Sequence, residues 1–94
     1  MVLEIAVFTT RPGHAEPFAE AYTQAREVIL GSPGCRSARM TRGVEDPGQF
    51  TLLVEWDTLE AHLEGFRGSE RFTRWRELLG PHFESADVRH TEDL

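Results

Sequence analysis

A chain of 94 residues with 39% hydrophobic and 28% charged side chains is expected to form one globular domain, 1–94. Its net charge of −6 disfavours nucleic acid and anionic membranes as partners. All ten cations are arginines, which excludes Schiff-base lysine chemistry and a P-loop. The one cysteine cannot form an internal disulfide, no apolar run is long enough to span a membrane, and no charged segment precedes the first apolar run. We therefore expect a soluble cytoplasmic protein.

The first half of the chain alternates between strand and helix patterns. Val2–Thr9 is predicted to be an apolar strand that ends at a turn at Arg11-Pro12-Gly13. Glu16–Leu30 has apolar residues at helical spacing, and the Gly and Pro residues after it end the helix. Cys35–Arg42 alternates arginine with small or apolar residues, which predicts a second strand.

The second half repeats this order. Gln49–Trp56 is the third and most apolar strand, and Asp57 is placed to cap a following helix. The inward stripe of that helix is predicted to be Leu59, His62, Leu63 and Phe66. Ser69 is placed to cap a second helix with the stripe Phe72, Trp75, Leu78 and Leu79, and Glu84–Thr91 is a weaker fourth strand. The order β-α-β-β-α-β predicts an α+β, ferredoxin-like fold with a four-stranded antiparallel sheet.

The first and third strands are apolar on both faces. Two helices can cover only one face of a four-stranded sheet, and a large uncovered apolar patch is rare on a monomer. We therefore expect a second copy of the chain to cover the other face in a two-fold homodimer.

An ordered set of short motifs resembles the antibiotic biosynthesis monooxygenase (ABM) family, within the dimeric α/β-barrel superfamily. The motifs are Arg11-Pro12-Gly13, Pro33-Gly34-Cys35, Val54-Glu55-Trp56, Thr58-Leu59-Glu60-Ala61-His62, Phe66-Arg67-Gly68-Ser69 with Phe72, and Pro81-His82-Phe83. The resemblance covers nearly the whole chain. It implies a homodimeric barrel with a pocket between the sheet and the helices of each subunit. Members include cofactor-independent oxygenases of aromatic phenols or quinols, haem-degrading enzymes and proteins of no known activity.

The haem-degrading branch uses an asparagine, a tryptophan and an iron-ligating histidine. The matching positions here are Ala6, Phe66 and Arg76. A guanidinium stays protonated and offers no lone pair to iron. The resemblance therefore argues against haem degradation of that type, and we expect no cofactor and no metal ligands.

His62 is the candidate catalytic residue. A histidine in an apolar stripe can deprotonate a phenol or quinol near neutral pH. The alternative is a structural histidine bonded to a backbone carbonyl or to Glu4.

Aromatic residues provide the candidate binding site for a small aromatic or apolar molecule, although such stripes usually form core. The candidate substrate-binding residues are Phe66, Trp75, Trp56, Phe72, Phe50, Tyr22 and Arg76. Arg76 could instead bridge to Glu70 or Glu77 at the surface.

Other polar residues have competing interpretations. Glu4 is either a buried base or, as we favour, an ion-pair partner of Arg39 or Arg42 on the second strand. His82 and His90 fit interface and catalytic roles equally, whereas His14 is expected to be solvated. Cys35 is predicted to be a small buried hydrophobe. The group Arg67, Arg71 and Arg74 is predicted to form a solvated helix face.

The sequence thus supports two hypotheses: a cofactor-independent monooxygenase for a phenol, quinol or anthrone, and a non-catalytic barrel that binds an apolar ligand. A cavity beside His62 smaller than roughly 300 Å³ would weaken the first.

Overall fold

The computed structural model describes all residues of the chain, 1–94. Two helices and two short helical turns connect four strands, and none of the helices is long and apolar enough to cross a membrane. The strands are β1 (Val2–Thr10), β2 (Cys35–Arg42), β3 (Gln49–Trp56) and β4 (Phe83–Thr91). The helices are α1 (Ala15–Leu30) and α2 (Glu70–Leu79), with a π-helical turn at Ala61–Phe66 and a 3₁₀ turn at Gly80–His82.

The four strands form one antiparallel sheet in the order β2-β3-β1-β4. The two central strands are therefore the two most apolar ones, as expected for strands without a free edge. The predicted α+β, ferredoxin-like fold is confirmed, and the predicted strands and α1 match the observed bounds within one residue at each end.

The two faces of the sheet differ in what covers them. Alternate residues of β1 and β3 are buried under the helices, and the residues between them are only half-buried. The buried set packs with α1 and α2 into one core, whose largest side chains include Trp56, Phe18, Phe66 and Ile29. The opposite face carries no helix, and its centre is formed by Leu3, Ile5, Val7 and Leu53.

The segment between β3 and α2 differs from the predicted α-helix. The Arg67 N–H donates to the carbonyl of His62, five residues back, so the turn is a π-helix. Because this turn is wider, its inward residues are His62 and Phe66, while Leu59 and Leu63 are 36% and 39% exposed. The predicted inward positions of the two leucines are therefore wrong.

The predicted caps are also wrong in detail. Thr58 Oγ1 accepts the N–H of Ala61 at 3.1 Å, whereas Asp57 pairs with Arg36. Ser69 stands in extended conformation before α2, but its hydroxyl donates to the carbonyl of Phe66 at 2.7 Å and does not cap the helix. These bonds fix the π-helical turn from both ends.

Gly34 brings this turn close to the sheet. Its φ is +85°, and a Cβ built there would lie 2.7 Å from the Cβ of Ala61. A side chain at position 34 would be strained and would push the π-helical turn outward. The glycine thus permits the close approach that carries His62 over the end of β3.

Candidate functional site

Glu4 is a carboxylate inside the core. It lies on the helix-covered face of β1 and is 4% exposed. The indole Nε1 of Trp56 donates to Glu4 Oε1 at 2.9 Å, and His62 Nε2 lies 3.4 Å from the same oxygen. Oε2 has no hydrogen-bond partner in the protein. Glu4 also lines a cavity, and Oε2 is its carboxylate oxygen without a hydrogen bond.

A chain of polar contacts runs from Glu4 to the rim of the sheet. His62 is 3% exposed and stacks on Trp56, with ring centres 5.0 Å apart and planes 16° apart. Its Nδ1 lies 2.8 Å from Nε2 of His90, which is half-buried on β4 and opposes Glu4 across the β1–β4 ladder. His90 also lines a groove on the outside of the molecule, with Met1 and other residues. The contacts Glu4–His62–His90 therefore connect the interior with the surface.

Burial is the main cause of the shifted pKa values of Glu4, His62 and His90. It raises the pKa of the Glu4 carboxyl above 4.5, against the Trp56 hydrogen bond and the positive charge of Arg67, which both lower it. Burial, then the charges of Arg67 and His90, lower the pKa of His62 from 6.5 to about 4. Burial and Arg67 also lower the pKa of His90. His62 is therefore neutral at pH 7, so its 3.4 Å approach to Glu4 is a polar contact of an uncharged ring instead of an ion pair.

A cavity of about 130 Å³ opens between the sheet and α2. Its wall is mostly apolar, and the polar groups reaching it are Glu4, His62, Arg67 and Arg76. The apolar lining consists of Phe8, Ile29, Leu52, Phe66, Phe72, Trp75, Phe83, Ala86 and Val88. This volume is below the roughly 300 Å³ of a typical ligand pocket, which weakens the monooxygenase hypothesis.

The structure brings together five of the predicted site residues at this cavity: His62, Phe66, Phe72, Trp75 and Arg76. The other three lie elsewhere. Trp56 is fully buried beneath His62, and Phe50 packs on Phe18 with ring centres 4.6 Å apart. Tyr22 reaches only the outer side of Trp75, at 6.4 Å between ring centres. These three side chains therefore do not line this cavity.

Arg67 is the site residue that the sequence pattern missed. It was expected on a solvated helix face, yet it lines the cavity and its charge acts on Glu4, His62 and His90. In an α-helix with about 3.6 residues per turn, a residue five positions after His62 lies well round the helix. The π-helical turn instead places these two residues next to each other. No composition signal for such a turn is evident in the sequence.

The favoured partner of Glu4 was wrong as well. Strand β3 lies between β1 and β2, so Arg39 and Arg42 cannot reach Glu4. Arg42 instead forms an ion pair with Glu16. Arg76 pairs with neither Glu70 nor Glu77, and its guanidinium carbon lies 5.8 Å from the centre of the Phe72 ring.

The remaining candidates lie away from the cavity. His14, expected to be solvated, is half-buried, and its Nδ1 lies 3.1 Å from Nδ1 of His82. Cys35 is only half-buried, and burial raises the pKa of its thiol. Nowhere do three or more His, Cys, Asp or Glu side chains converge closely enough to hold a metal ion. Of the haem-branch positions, Ala6 is fully buried in the core.

Known proteins resemble the chain over its whole length. The uncharacterised protein YczJ of Bacillus subtilis (strain 168) is 36% identical over 95 residues, which is 100% of both chains. A candidate antibiotic biosynthesis monooxygenase from Bordetella bronchiseptica has a solved structure with a TM-score of 0.94 and 34% identity, covering 99% of this chain and 96% of that one. A second candidate from Nitrosomonas europaea has a TM-score of 0.83 at 19% identity, covering 100% and 99%, and shows the fold alone.

The sequence profile of antibiotic biosynthesis monooxygenases matches residues 1–78, which include β1, the π-helical turn and nearly all of α2. With this match and relatives above 30% identity, the chain belongs to the antibiotic biosynthesis monooxygenase family.

Proposed function

We propose that the protein is a cofactor-independent monooxygenase that oxidises a small phenol or hydroquinone with O₂. The observation that carries the proposal is the chain of contacts Glu4–His62–His90, which leads from an apolar cavity to the surface. Such a reaction begins with removal of the hydroxyl proton, because the anion is the form that reduces O₂. A base in a dry site with an outlet for the proton meets that need.

Glu4 is the group that we assign as the first proton acceptor. His62 Nδ1 lies 2.8 Å from His90 and Nε2 lies 3.4 Å from Glu4 Oε1, whereas Glu4 Oε2 has no hydrogen-bond partner. Burial raises the pKa of Glu4, which makes its carboxylate a stronger base. His62 then passes the proton from Nε2 to Nδ1 and on to His90. This refines the role predicted for His62, from the base itself to the relay behind the base.

The oxygen chemistry balances without a further reductant. Once the proton has left, the electron-rich anion transfers an electron to O₂, and the two radicals recombine at a ring carbon that bears a hydrogen. The peroxide anion that forms takes up one proton and becomes a hydroperoxide. Loss of water from that hydroperoxide leaves a carbonyl, so one oxygen atom enters the quinone product and the other leaves as water. The chain's own contribution is the removal of the proton and the exclusion of water by the apolar wall.

Turnover tests this proposal directly. The protein is incubated with a panel of phenols and hydroquinones while O₂ uptake and product mass are followed. Glu4→Gln keeps an oxygen that accepts the Trp56 N–H, and we expect it to lower turnover about 10²- to 10⁴-fold. Glu84→Gln, an exposed change of the same chemistry on β4, serves as the matched control. No turnover above buffer for the whole panel, or full activity of Glu4→Gln, would reject the proposal.

The small cavity favours a second candidate function. A non-catalytic barrel that binds an apolar molecule needs no more than the observed 130 Å³ and no relay. Ligands that raise the melting temperature of the protein without O₂ uptake would support this alternative.

We also propose that the protein is a homodimer formed through the uncovered face of the sheet. The centre of that face is apolar, whereas the rim carries Ser37, Arg39, Thr41, Thr51, Glu55, Asp87 and Arg89. An apolar centre within a polar rim is the usual anatomy of a protein–protein interface. A second copy supplies a matching surface by symmetry.

A further inference from the structure

Two arginines at the cavity have no anionic partner within the protein. Arg36, Arg42 and Arg89 form ion pairs with carboxylates. Arg67 and Arg76 line the cavity, are exposed to solvent, and form no ion pair. Seven of the ten arginines form no ion pair, and Arg67 and Arg76 are the two of that group that line the cavity.

The volume and lining of the cavity indicate the size and shape of a ligand that would fit it. A cavity of about 150 Å³ with an apolar lining holds one benzene ring, and the volume of about 130 Å³ found here is close to that size. Phe66 meets Phe72 and Trp75 edge-on, at 5.5 and 6.0 Å between ring centres. These rings form apolar walls suited to a flat ring.

We propose that this site selects a single-ring aromatic anion, whose ring lies among Phe66, Phe72 and Trp75 and whose acidic group is held by Arg67 and Arg76. The planar fork of a guanidinium matches a carboxylate in two parallel hydrogen bonds. Glu4 is the deeper group and the two arginines are the exposed ones, so the acidic group stays at the mouth and the ring points inward.

This inference rests on the site of the proposed function and narrows its substrate class. A phenol with a carboxylate opposite the hydroxyl would be anchored at the mouth while the hydroxyl approaches Glu4. The ring carbon beside that hydroxyl still bears the hydrogen that the oxidation removes. A three-ring anthrone is larger than the observed cavity of about 130 Å³. Since Arg67 also acts on Glu4 and His62, an anion that neutralises it would raise the basicity of the relay when substrate is bound.

Calorimetric titration at pH 7 tests the proposal with three probes. Benzoate is the single-ring anion, benzyl alcohol is its neutral counterpart, and 9-anthracenecarboxylate is an anion that is too large. We expect benzoate to bind at least about tenfold more tightly than either of the others, with an affinity that falls as salt is added. Equal binding of benzoate and benzyl alcohol, or tighter binding of the three-ring anion, would overturn the proposal.

Three arginine variants identify the groups responsible. Arg67→Gln and Arg76→Gln should each weaken benzoate binding roughly tenfold and leave benzyl alcohol unchanged. Arg74→Gln is the matched control, since Arg74 is exposed on α2 but does not reach the cavity. Full benzoate affinity in both Arg67→Gln and Arg76→Gln, or an equal loss in Arg74→Gln, would contradict the assignment. Circular dichroism verifies that each variant is folded.

Binding and turnover can fail separately. If benzoate binds through the two arginines but no phenolic acid is oxidised, the proposed oxygenase activity is rejected and the anion site remains. If oxidation is found for neutral phenols alone, the oxygenase remains and the anion site is rejected.

Discussion

Glu4 and His90 are direct neighbours across the β1–β4 ladder, and His62, on the π-helical turn after β3, contacts both of their side chains. Three separate parts of the chain therefore meet at one point: the first strand, the π-helical turn and the last strand. Each contributes one titratable side chain, so changes at any of the three should alter protonation at the other two.

The Trp56–Glu4 hydrogen bond should stabilise the fold in a pH-dependent way. Trp56→Phe keeps a ring under His62 but removes the donor, and we expect a loss of roughly 1–3 kcal/mol in the free energy of unfolding at pH 7. The loss should be smaller at pH 4, because the bond to a protonated carboxyl is weaker. Urea unfolding at both pH values measures this. Trp75→Phe is the control for ring size, and an identical loss at the two pH values would argue against the mechanism.

The two shifted pKa values predict opposite pH effects on stability. The His62 pKa falls from 6.5 to about 4 on folding, so the unfolded state binds a proton first as the pH drops, and stability is lost between these values. His62→Gln should therefore gain stability relative to the unmodified protein as the pH falls from 6.5 to 4, by roughly 3 kcal/mol. Urea unfolding across this range measures the difference.

Glu4 should show the reverse trend. Its folded pKa is raised above 4.5, so the unfolded state releases its proton first as the pH rises, and the native state loses stability above pH 4.5. Glu4→Gln should gain stability relative to the unmodified protein as the pH rises from 4.5. Difference curves of the same sign for Glu4→Gln and His62→Gln would show that one of the two shifts is assigned in the wrong direction.

The proton outlet at His90 can be tested by chemical rescue. If the proposed reaction occurs, His90→Gln should slow turnover at least about tenfold, because no group is then placed to accept the proton from His62. Added imidazole should restore part of the lost rate, since His90 lines an outside groove that a small buffer can enter. Slow turnover that no concentration of imidazole improves would point to a structural role for His90. His14→Gln, in the other histidine pair, is the control.

The proposed dimer makes a prediction at the centre of the uncovered face. Leu53 lies between Ile5 and Arg39 on neighbouring strands, so Leu53→Glu places a charge in the middle of the interface. We expect this variant to be a folded monomer by light scattering, while Gln24→Glu on the exposed side of α1 leaves the dimer intact. An unmodified protein that is monomeric at micromolar concentration would reject the proposed interface.

The strands and the first helix could be predicted from the sequence more fully than the contacts of the candidate site. Alternating burial along β1 and β3 and the apolar stripe of α1 reflect the core directly, so those elements were predictable within a residue. The partner of Glu4 was not, because it depends on which strands are neighbours and on their register. Local spacing placed His62 inside but could not show that His90, 28 residues away, would occupy its other nitrogen.

The π-helical turn has a consequence for comparing this chain with its relatives. A turn closed across five residues contains one residue more than an α-helical turn covering the same path. A relative with an ordinary α-helix between Thr58 and Ser69 would align with a one-residue gap there, and Arg67 would have no counterpart at the cavity. Charge at the mouth of the cavity can therefore differ between two family members whose aligned residues are otherwise the same, through the length of a single turn.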